Sequence, residues 1–170
     1  MSDAPLFGKY RAVVINNIDP LQIGRIQVMV PDVGAVIPTS WAMPCLPTAG
    51  INAGFFTVPI IGAGVWVEFE RGDPDYPIWV GGYWGSAAEV PVMARTVAPG
   101  VCGITIQTTL KNGIVVSDVP GPTGGIMIQT TTGAMISVSD IGIIISNGKG
   151  ATINMTGPTV DVNLGALTVI

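Results

Sequence analysis

Histidine is absent from the 170-residue chain, and its absence removes several kinds of chemistry. Without histidine there is no imidazole acid or base, no Ser-His-Asp or Cys-His arrangement, and no histidine-ligated metal. Cysteine is scarce: Cys45 and Cys102 stand 57 positions apart, too few for the disulfide framework of a small secreted domain. We interpret both as buried or incidental thiols.

Charge is also sparse, since Asp, Glu, Lys and Arg make up only 11% of the residues, against about 25% in an average soluble domain. The net charge of −4 and the scattered cations oppose nucleic acid binding, which needs clustered Lys and Arg. Mean hydropathy is high at +0.58, yet no apolar run is long enough for a transmembrane helix. No basic region precedes an apolar run at the N-terminus, so we expect no signal peptide and assembly in the cytoplasm. These features predict burial against a partner subunit.

Aromatic residues stop abruptly along the chain. All eleven lie between Phe7 and Trp84, and the sequence beyond consists largely of Gly, Thr, Ser, Ile and Val. Such a change in composition marks a domain boundary. We predict a first domain over residues 1–84, an irregular linker over 85–103 and a second domain over 104–170.

The first domain has the pattern of short β-strands. Apolar residues alternate with others in "KYRAVVINN", "RIQVMVP" and "GAGVWVEFERGD", where Val65, Val67 and Phe69 share one side. Two prolines close to Trp41 exclude a regular helix there. About five strands without a helix predict a small Greek-key barrel of the oligonucleotide/oligosaccharide-binding (OB) type, because an open sheet would leave exposed edges.

The second domain is a repeat. Residues 104–119 and 126–141 are identical at nine of sixteen aligned positions, and glycines recur about every eight residues from Gly125 to Gly165. Between the glycines lie short triplets, such as Ile126-Met127-Ile128, whose first and third members share a face of a strand. The repeat therefore predicts stacked strands, one to each step.

One strand per step gives each chain a single wall, so three chains would be needed to enclose a core. In that trimer, Ile128, Val138, Ile145 and Val162 are expected to face the three-fold axis. The 22-residue repeat also fits one coil of a single-chain β-helix, and that alternative remains open.

The chain resembles a known family of contractile-tail spikes, which includes phage baseplate assembly protein V and the valine-glycine-repeat spike of type VI secretion. The resemblance is carried by "GKYRAVVINNIDPLQIGRIQVMVPDV" (8–33), "WAMPCLPTAG" (41–50) and "PIIGAGVWVEFERGDPDYPIWVGGYWG" (59–85). Residues 104–170 resemble the trimeric β-helix needle of the family. We expect neither the lysozyme-like insertion nor the fused hub domains of larger relatives, and, without histidine, no iron site like that of some phage needles.

The resemblance implies an all-β homotrimer, with an OB-like barrel followed by an intertwined triple-stranded β-helix. It implies a structural, non-enzymatic central spike, without cofactor or metal, that links a baseplate hub to a membrane-piercing needle of a phage tail or tail-like particle. The needle would touch the target cell envelope transiently. A separate hub protein would hold the barrel, and a PAAR-like tip protein would dock on Leu167, Val169 and Ile170. Which machine the spike serves is left open.

Other interpretations use the acidic and aromatic residues. Glu68 and Glu70 suggest a glycosidase pair, although a solvated strand face explains them better. Asp73 and Asp75 could hold a cation, although Asp-Pro turn chemistry explains them as well. The four tryptophans could stack on nucleic acid bases, but the net negative charge of the chain favours packing in the core or at an interface. The alternative functions are therefore an OB-type binding module for nucleic acid or carbohydrate, and a β-helix enzyme acting on polysaccharide. Residues 100–170 carry few charged groups for such an enzyme.

Overall fold

The computed structural model describes residues 5–33 and 38–169, with side chains described as far as Leu167. The chain divides into two compact units, Met1–Glu89 and Val90–Ile170. The described residues form β-strands and short 3-10 helices, which confirms the all-β fold predicted from the sequence.

The N-terminal unit is built on one five-stranded sheet. Its strands are β1 (Tyr10–Asn16), β2 (Gln27–Met29), β3 (Met43–Pro44), β6 (Gly64–Phe69) and β7 (Pro77–Tyr83), in the spatial order β2-β1-β6-β7-β3. The two edge strands meet through Ile26 and Ala42, which exchange backbone hydrogen bonds of 3.2 and 2.8 Å. This bridge closes the sheet into a small barrel and removes its free edges.

The barrel core follows from alternation along the strands. Ala12 and Val14 of β1, and Val65, Val67 and Phe69 of β6, are buried, as the sequence pattern predicts. Ile26, Val28, Val30, Ala42 and Trp79 complete the core. The Trp79 indole N–H donates to the carbonyl of Gly24 at 3.1 Å, so its polar atom is satisfied inside the barrel.

A small hairpin projects from the barrel. Its strands β4 (Ala49–Gly50) and β5 (Ala53–Gly54) are two residues each and pair only with each other. The sequence pattern does not predict this hairpin, because strands of Gly and Ala show no alternation.

The C-terminal unit is a single sheet of eight antiparallel strands in chain order. The strands are β8 (Gly103–Gln107), β9 (Gly113–Ser117), β10 (Gly125–Gln129), β11 (Met135–Ser139), β12 (Gly142–Ser146), β13 (Thr152–Thr156), β14 (Thr159–Val162) and β15 (Leu167–Val169). Each strand pairs with its neighbours along the chain, so one chain builds one wall of stacked strands.

The predicted linker, residues 85–103, is partly folded. It contains 3-10 helices at Ala87–Glu89 and Val92–Thr96, and β8 begins at Gly103. Met93 is buried, and its backbone N–H donates to the Gln107 side chain at 2.9 Å. The second 3-10 helix therefore packs on the first strands of the sheet, a contact that small residues and prolines in the sequence do not indicate.

Tight turns between the strands set the positions of glycine. Gly148 has φ +70°, and a Cβ there would lie 2.6 Å from the carbonyl carbon of Gly133 and from the carbonyl oxygen of Thr132. Successive turns on this side of the sheet thus stack backbone against backbone, and only glycine fits between them.

Candidate functional site: an apolar sheet face

One face of the C-terminal sheet is apolar from its first strand to its last. Residues directly opposite each other in an antiparallel pair share a face, so the strand register defines two columns of side chains. The first column is Ile104, Val116, Ile126, Val138, Ile143, Met155 and Val160. The second is Ile106, Ile114, Ile128, Ile136, Ile145, Ile153, Val162 and Leu167. The predicted sharing of a face within each triplet is confirmed.

This apolar face is uncovered in the single chain. Ile104 is 61% exposed, Ile128 44% and Ile145 38%. Eight strands at a spacing of about 4.8 Å make the face about 34 Å tall, while its two columns are only about 7 Å apart. A continuous apolar surface of this size marks an interaction site, because a sheet must bury its apolar face against another layer.

The opposite face of the sheet is mixed in character. Its central row contains both polar and apolar side chains: Thr105, Val115, Met127, Ser137, Ile144, Asn154 and Asp161. Val115 is buried at the end where the 3-10 helix Val92–Thr96 packs. Polar groups along the remainder suit contact with water, so the two faces differ in what they require.

The four residues predicted to face a three-fold axis all lie on the apolar face. Ile128, Ile145 and Val162 belong to the second column, and Val138 belongs to the first. The structure therefore brings them onto one surface.

The residues predicted to dock a tip protein lie at the last strand. Leu167 is 59% exposed, and the backbone of Val169 pairs with Val160. The side chain of Val169 and all of Ile170 lie outside what the structure describes. Their predicted role remains a prediction.

The barrel carries apolar side chains at two shallow grooves. One groove, of about 390 Å³, is lined by the hairpin and by Ile23 and Phe56, which are 45% and 63% exposed. Ile51, at the tip of the hairpin, is 97% exposed. A second groove, of about 710 Å³, is lined by Ile60, Ile61, Tyr83 and Trp84. Neither groove gathers a cluster of polar groups typical of catalysis.

The loop between β1 and β2 is held by a partly buried ion pair that the sequence pattern does not indicate. Asp19 accepts hydrogen bonds from Arg25 Nε and Nη2 at 3.0 and 2.6 Å, and from the backbone N–H groups of Leu21, Ile23 and Arg25. The Arg25 guanidinium, together with these backbone donors, holds the pKa of Asp19 well below its usual range. The sequence "DPLQIGR" carries the proline and glycine typical of a loop, but nothing in it indicates this pair.

Two of the four acidic residues considered as catalytic or metal sites, Glu68 and Asp73, make local contacts. Glu68 forms an exposed ion pair with Lys9 at 2.5 Å. Glu70 does not share a strand face with it, because β6 ends at Phe69 and a 3-10 turn with a positive φ at Arg71 follows. Asp73 Oδ1 accepts the backbone N–H of Asp75 at 3.0 Å, as in an Asx turn. Within residues 5–33 and 38–169, no cluster of three potential metal-ligating side chains occurs.

The tryptophans of the barrel divide between core and surface. Trp79 is buried in the core, whereas Trp84 is 62% exposed. Trp66 packs against Tyr83 with ring centroids 5.1 Å apart, and the Arg11 guanidinium lies over both rings. Packing accounts for Trp66 and Trp79, so the four rings do not form a single stacking platform.

A closed five-stranded barrel followed by a sheet with an uncovered apolar face defines a class of protein: an OB-type module joined to an oligomerisation module. Comparison with protein families gives this class its identity. Residues 10–84 match the model described as the type VI secretion system/phage-baseplate injector OB domain. Residues 103–168 match the model described as the phage baseplate V C-terminal trimerisation domain. Together the matches cover more than four fifths of the chain.

The chain belongs to the phage baseplate V family. It is a structural spike component of a contractile injection apparatus, part of a tail-like particle, and its C-terminal unit is a trimerisation domain. A search of curated proteins gave no match. Among the described residues, no helix has both the length and the apolar character needed to cross a bilayer.

Proposed function

We propose that the apolar face of the C-terminal sheet lines the axis of a homotrimeric needle. Three walls turned inward would bury both columns of each chain and leave the mixed faces in water. Ile128, Val138, Ile145 and Val162 would then pack around the three-fold axis. The observation that carries this proposal is the continuous apolar face, which no other described residue of the C-terminal unit covers.

The mechanism of such a needle is transmission of force. Contraction of the surrounding sheath would drive the needle through an envelope, and the needle must not buckle. Stacked strands supply stiffness, because each is hydrogen-bonded to the next and the axis is filled with closely packed Ile and Val side chains. No reacting group is required, so the function has no need of an active site.

The mass of the purified full-length protein in solution tests the trimer. One chain has a mass of 17.5 kDa, so light scattering should give three times that value. A folded monomer would refute the proposal. A dimer would also refute it, since two walls can bury their apolar faces only as a sandwich.

We also propose that the barrel docks on a hub of separate chains through the hairpin and the adjacent groove. Ile23 and Phe56 line the groove, together with the hairpin residues on either side of Ile51. The nearly complete exposure of Ile51 gives it no role in the barrel core. Aromatic and aliphatic side chains of this kind are the usual anchors of a protein interface.

The hub proposal is tested with Ile51→Asp/Phe56→Asp in full-length spike. Capture by the hub protein of the same particle should be lost, while the trimeric mass is unchanged. Ile61→Asp is the control, because Ile61 is 57% exposed but lines the other groove. If Ile61→Asp abolishes capture and the double variant does not, the docking surface is assigned to the wrong groove.

We further propose that a small tip protein covers the final strand of the needle. Leu167 is exposed on the last strand, where the edge of the sheet offers unpaired backbone groups. Truncation after Gly165 should abolish recovery of a PAAR-like tip protein in a pull-down. Equal recovery with the full-length and truncated spikes would refute this role for the last strand.

A further inference from the structure

The turns of the C-terminal sheet separate charges of opposite sign onto its two sides. On one side lie the turns at 108–112, 130–134, 147–151 and 163–166, whose charged residues are Lys111 and Lys149. On the other side lie the turns at 118–124, 140–141 and 157–158, whose charged residues are Asp118 and Asp140. We call these sides the lysine edge and the aspartate edge. No basic residue lies in the turns of the aspartate edge and no acidic residue in those of the lysine edge. Asp161 of β14 is the one carboxylate shown to reach the lysine edge among the described residues, and it accepts the backbone N–H of Gly165 there at 2.7 Å.

These four side chains do not neutralise one another within the chain. Within the described part of the chain, Lys111, Lys149 and Asp118 form no ion pair. Asp140 accepts the backbone N–H of Gly121 through Oδ2 at 3.0 Å, which leaves its other oxygen free to accept. The strands between the edges keep the two signs apart.

The symmetry of a trimer brings the two edges together. This step rests on the proposed trimer, in which identical walls turn their apolar faces to one axis. We call the line along which two neighbouring walls meet a corner. In cyclic three-fold symmetry each corner joins two different edges, so the lysine edge of one copy meets the aspartate edge of the next. An inverted copy would keep its apolar face inward but would place like edges side by side.

The heights of the charged turns fit such a corner. The turn of Lys111 joins β8 to β9 and that of Asp118 joins β9 to β10, one strand further along the sheet. The turn of Lys149 joins β12 to β13 and that of Asp140 joins β11 to β12, so their positions along the sheet also differ by one strand. Cyclic symmetry adds no translation along the axis, so each pair is offset by about 4.8 Å, which the four-carbon stem of lysine can span.

We propose that the two edges form an ion-paired seam between neighbouring copies of this chain, joining Lys111 to Asp118 and Lys149 to Asp140. The seam selects parallel over inverted copies, so that the three sheets run in the same direction along the axis. Charges placed in this way give specificity chiefly by penalising the wrong arrangement.

Charge reversal in the full-length protein tests the seam. The variants are Lys111→Glu/Lys149→Glu, Asp118→Lys/Asp140→Lys, and the quadruple swap that combines them. Each trimer would contain six pairs, and an exposed pair contributes up to about fivefold to an association constant. We expect each double reversal to weaken trimer assembly at least about tenfold in sedimentation equilibrium, and the quadruple swap to restore it.

The two double variants also distinguish the effect of the specific ion pairs on assembly from the effect of the net charge of the chain. Asp118→Lys/Asp140→Lys removes two negative charges and adds two positive ones, which raises the net charge of each chain from −4 to 0. Repulsion over the whole chain would then fall and favour the trimer, whereas the seam predicts a weaker trimer. Refolding the two double variants together should give mixed trimers, because two of their three corners become attractive.

The possible results distinguish a failure of the seam from a failure of the proposed trimer. A trimeric wild type whose assembly is unaffected by either reversal would overturn the seam and leave the trimer standing. Weakened assembly that the quadruple swap fails to restore would also overturn it. A monomeric wild type would refute the proposed trimer, and the seam with it.

Discussion

Val138→Asp is the sharpest perturbation of the apolar face. Val138 lies in the first column between Ile126 and Ile143, and 39% of it remains exposed in the single chain. Complete burial of a valine contributes about 1.5–3 kcal/mol, so burying the exposed fraction contributes about 0.6–1.2 kcal/mol per chain and about 2–3.5 kcal/mol per trimer. Aspartate forfeits that gain.

The substituted carboxylate adds a second and larger cost. An unpaired charge removed from water costs several kcal/mol, and a trimer would bury three of them close to one axis. We therefore expect Val138→Asp to abolish the trimer at micromolar concentration. Val138→Ala removes methyl groups without adding charge, and should weaken the trimer without abolishing it.

Ser137→Asp is the matched control. Ser137 is adjacent to Val138 in β11 but points to the mixed face, where its central-row neighbours are Met127 and Ile144. The same charge at this position should leave the trimer intact. If Ser137→Asp disrupts assembly as strongly as Val138→Asp, the apolar face is not the interface.

Two measurements are needed: the mass in solution by light scattering, and the tryptophan fluorescence emission. All four tryptophans lie in the N-terminal unit. Their emission therefore reports on the folding of the barrel and not on that of the sheet. Val138→Asp should lose the trimeric mass and keep the native emission. A trimeric Val138→Asp variant with the wild-type urea midpoint would refute the reasoning.

Two further predictions concern stability. Gly148→Ala should lower the free energy of unfolding by about 1–3 kcal/mol in urea denaturation, because its Cβ would overlap the backbone of Gly133. Gly150 in the same turn has φ +104°, so Gly150→Ala also strains the backbone, but no atom lies within 4 Å of its Cβ. It should cost less than Gly148→Ala, and equal losses would assign the effect to backbone strain rather than to overlap. For Asp19, the lowered pKa in the folded state means that its charge stabilises the barrel above the unfolded pKa of about 3.9, and that this contribution falls as the pH drops below about 4. The stability difference between wild type and Asp19→Asn should therefore shrink from pH 7 to pH 3 in urea denaturation followed by tryptophan fluorescence, whereas a constant difference would assign it to packing.

Much of the barrel could be predicted from the sequence because its strands are buried on one side only. Alternation of the kind seen in "VWVEF" fixes which side chains point inward before any partner strand is known, and Val65, Val67 and Phe69 are buried as expected. The strand count predicts a barrel, but the residues that close it, Ile26 and Ala42, could not be predicted, because they are 16 positions apart and carry no local signal. The Asp19–Arg25 pair was missed for a similar reason, since only the folded loop brings the guanidinium to the carboxylate.

For the C-terminal unit, the sequence by itself determined the strands, the turns and the face that each apolar side chain shares within its own strand. These features depend on an eight-residue period and on the two-residue alternation of a strand, both of which are local. Only the tertiary structure decided that successive strands pair antiparallel in chain order. That register joined the separate triplets into two continuous columns, and it carried the lysines to one edge of the sheet and the aspartates of the turns to the other. Register depends on hydrogen bonds between strands, and a single strand cannot specify its neighbour.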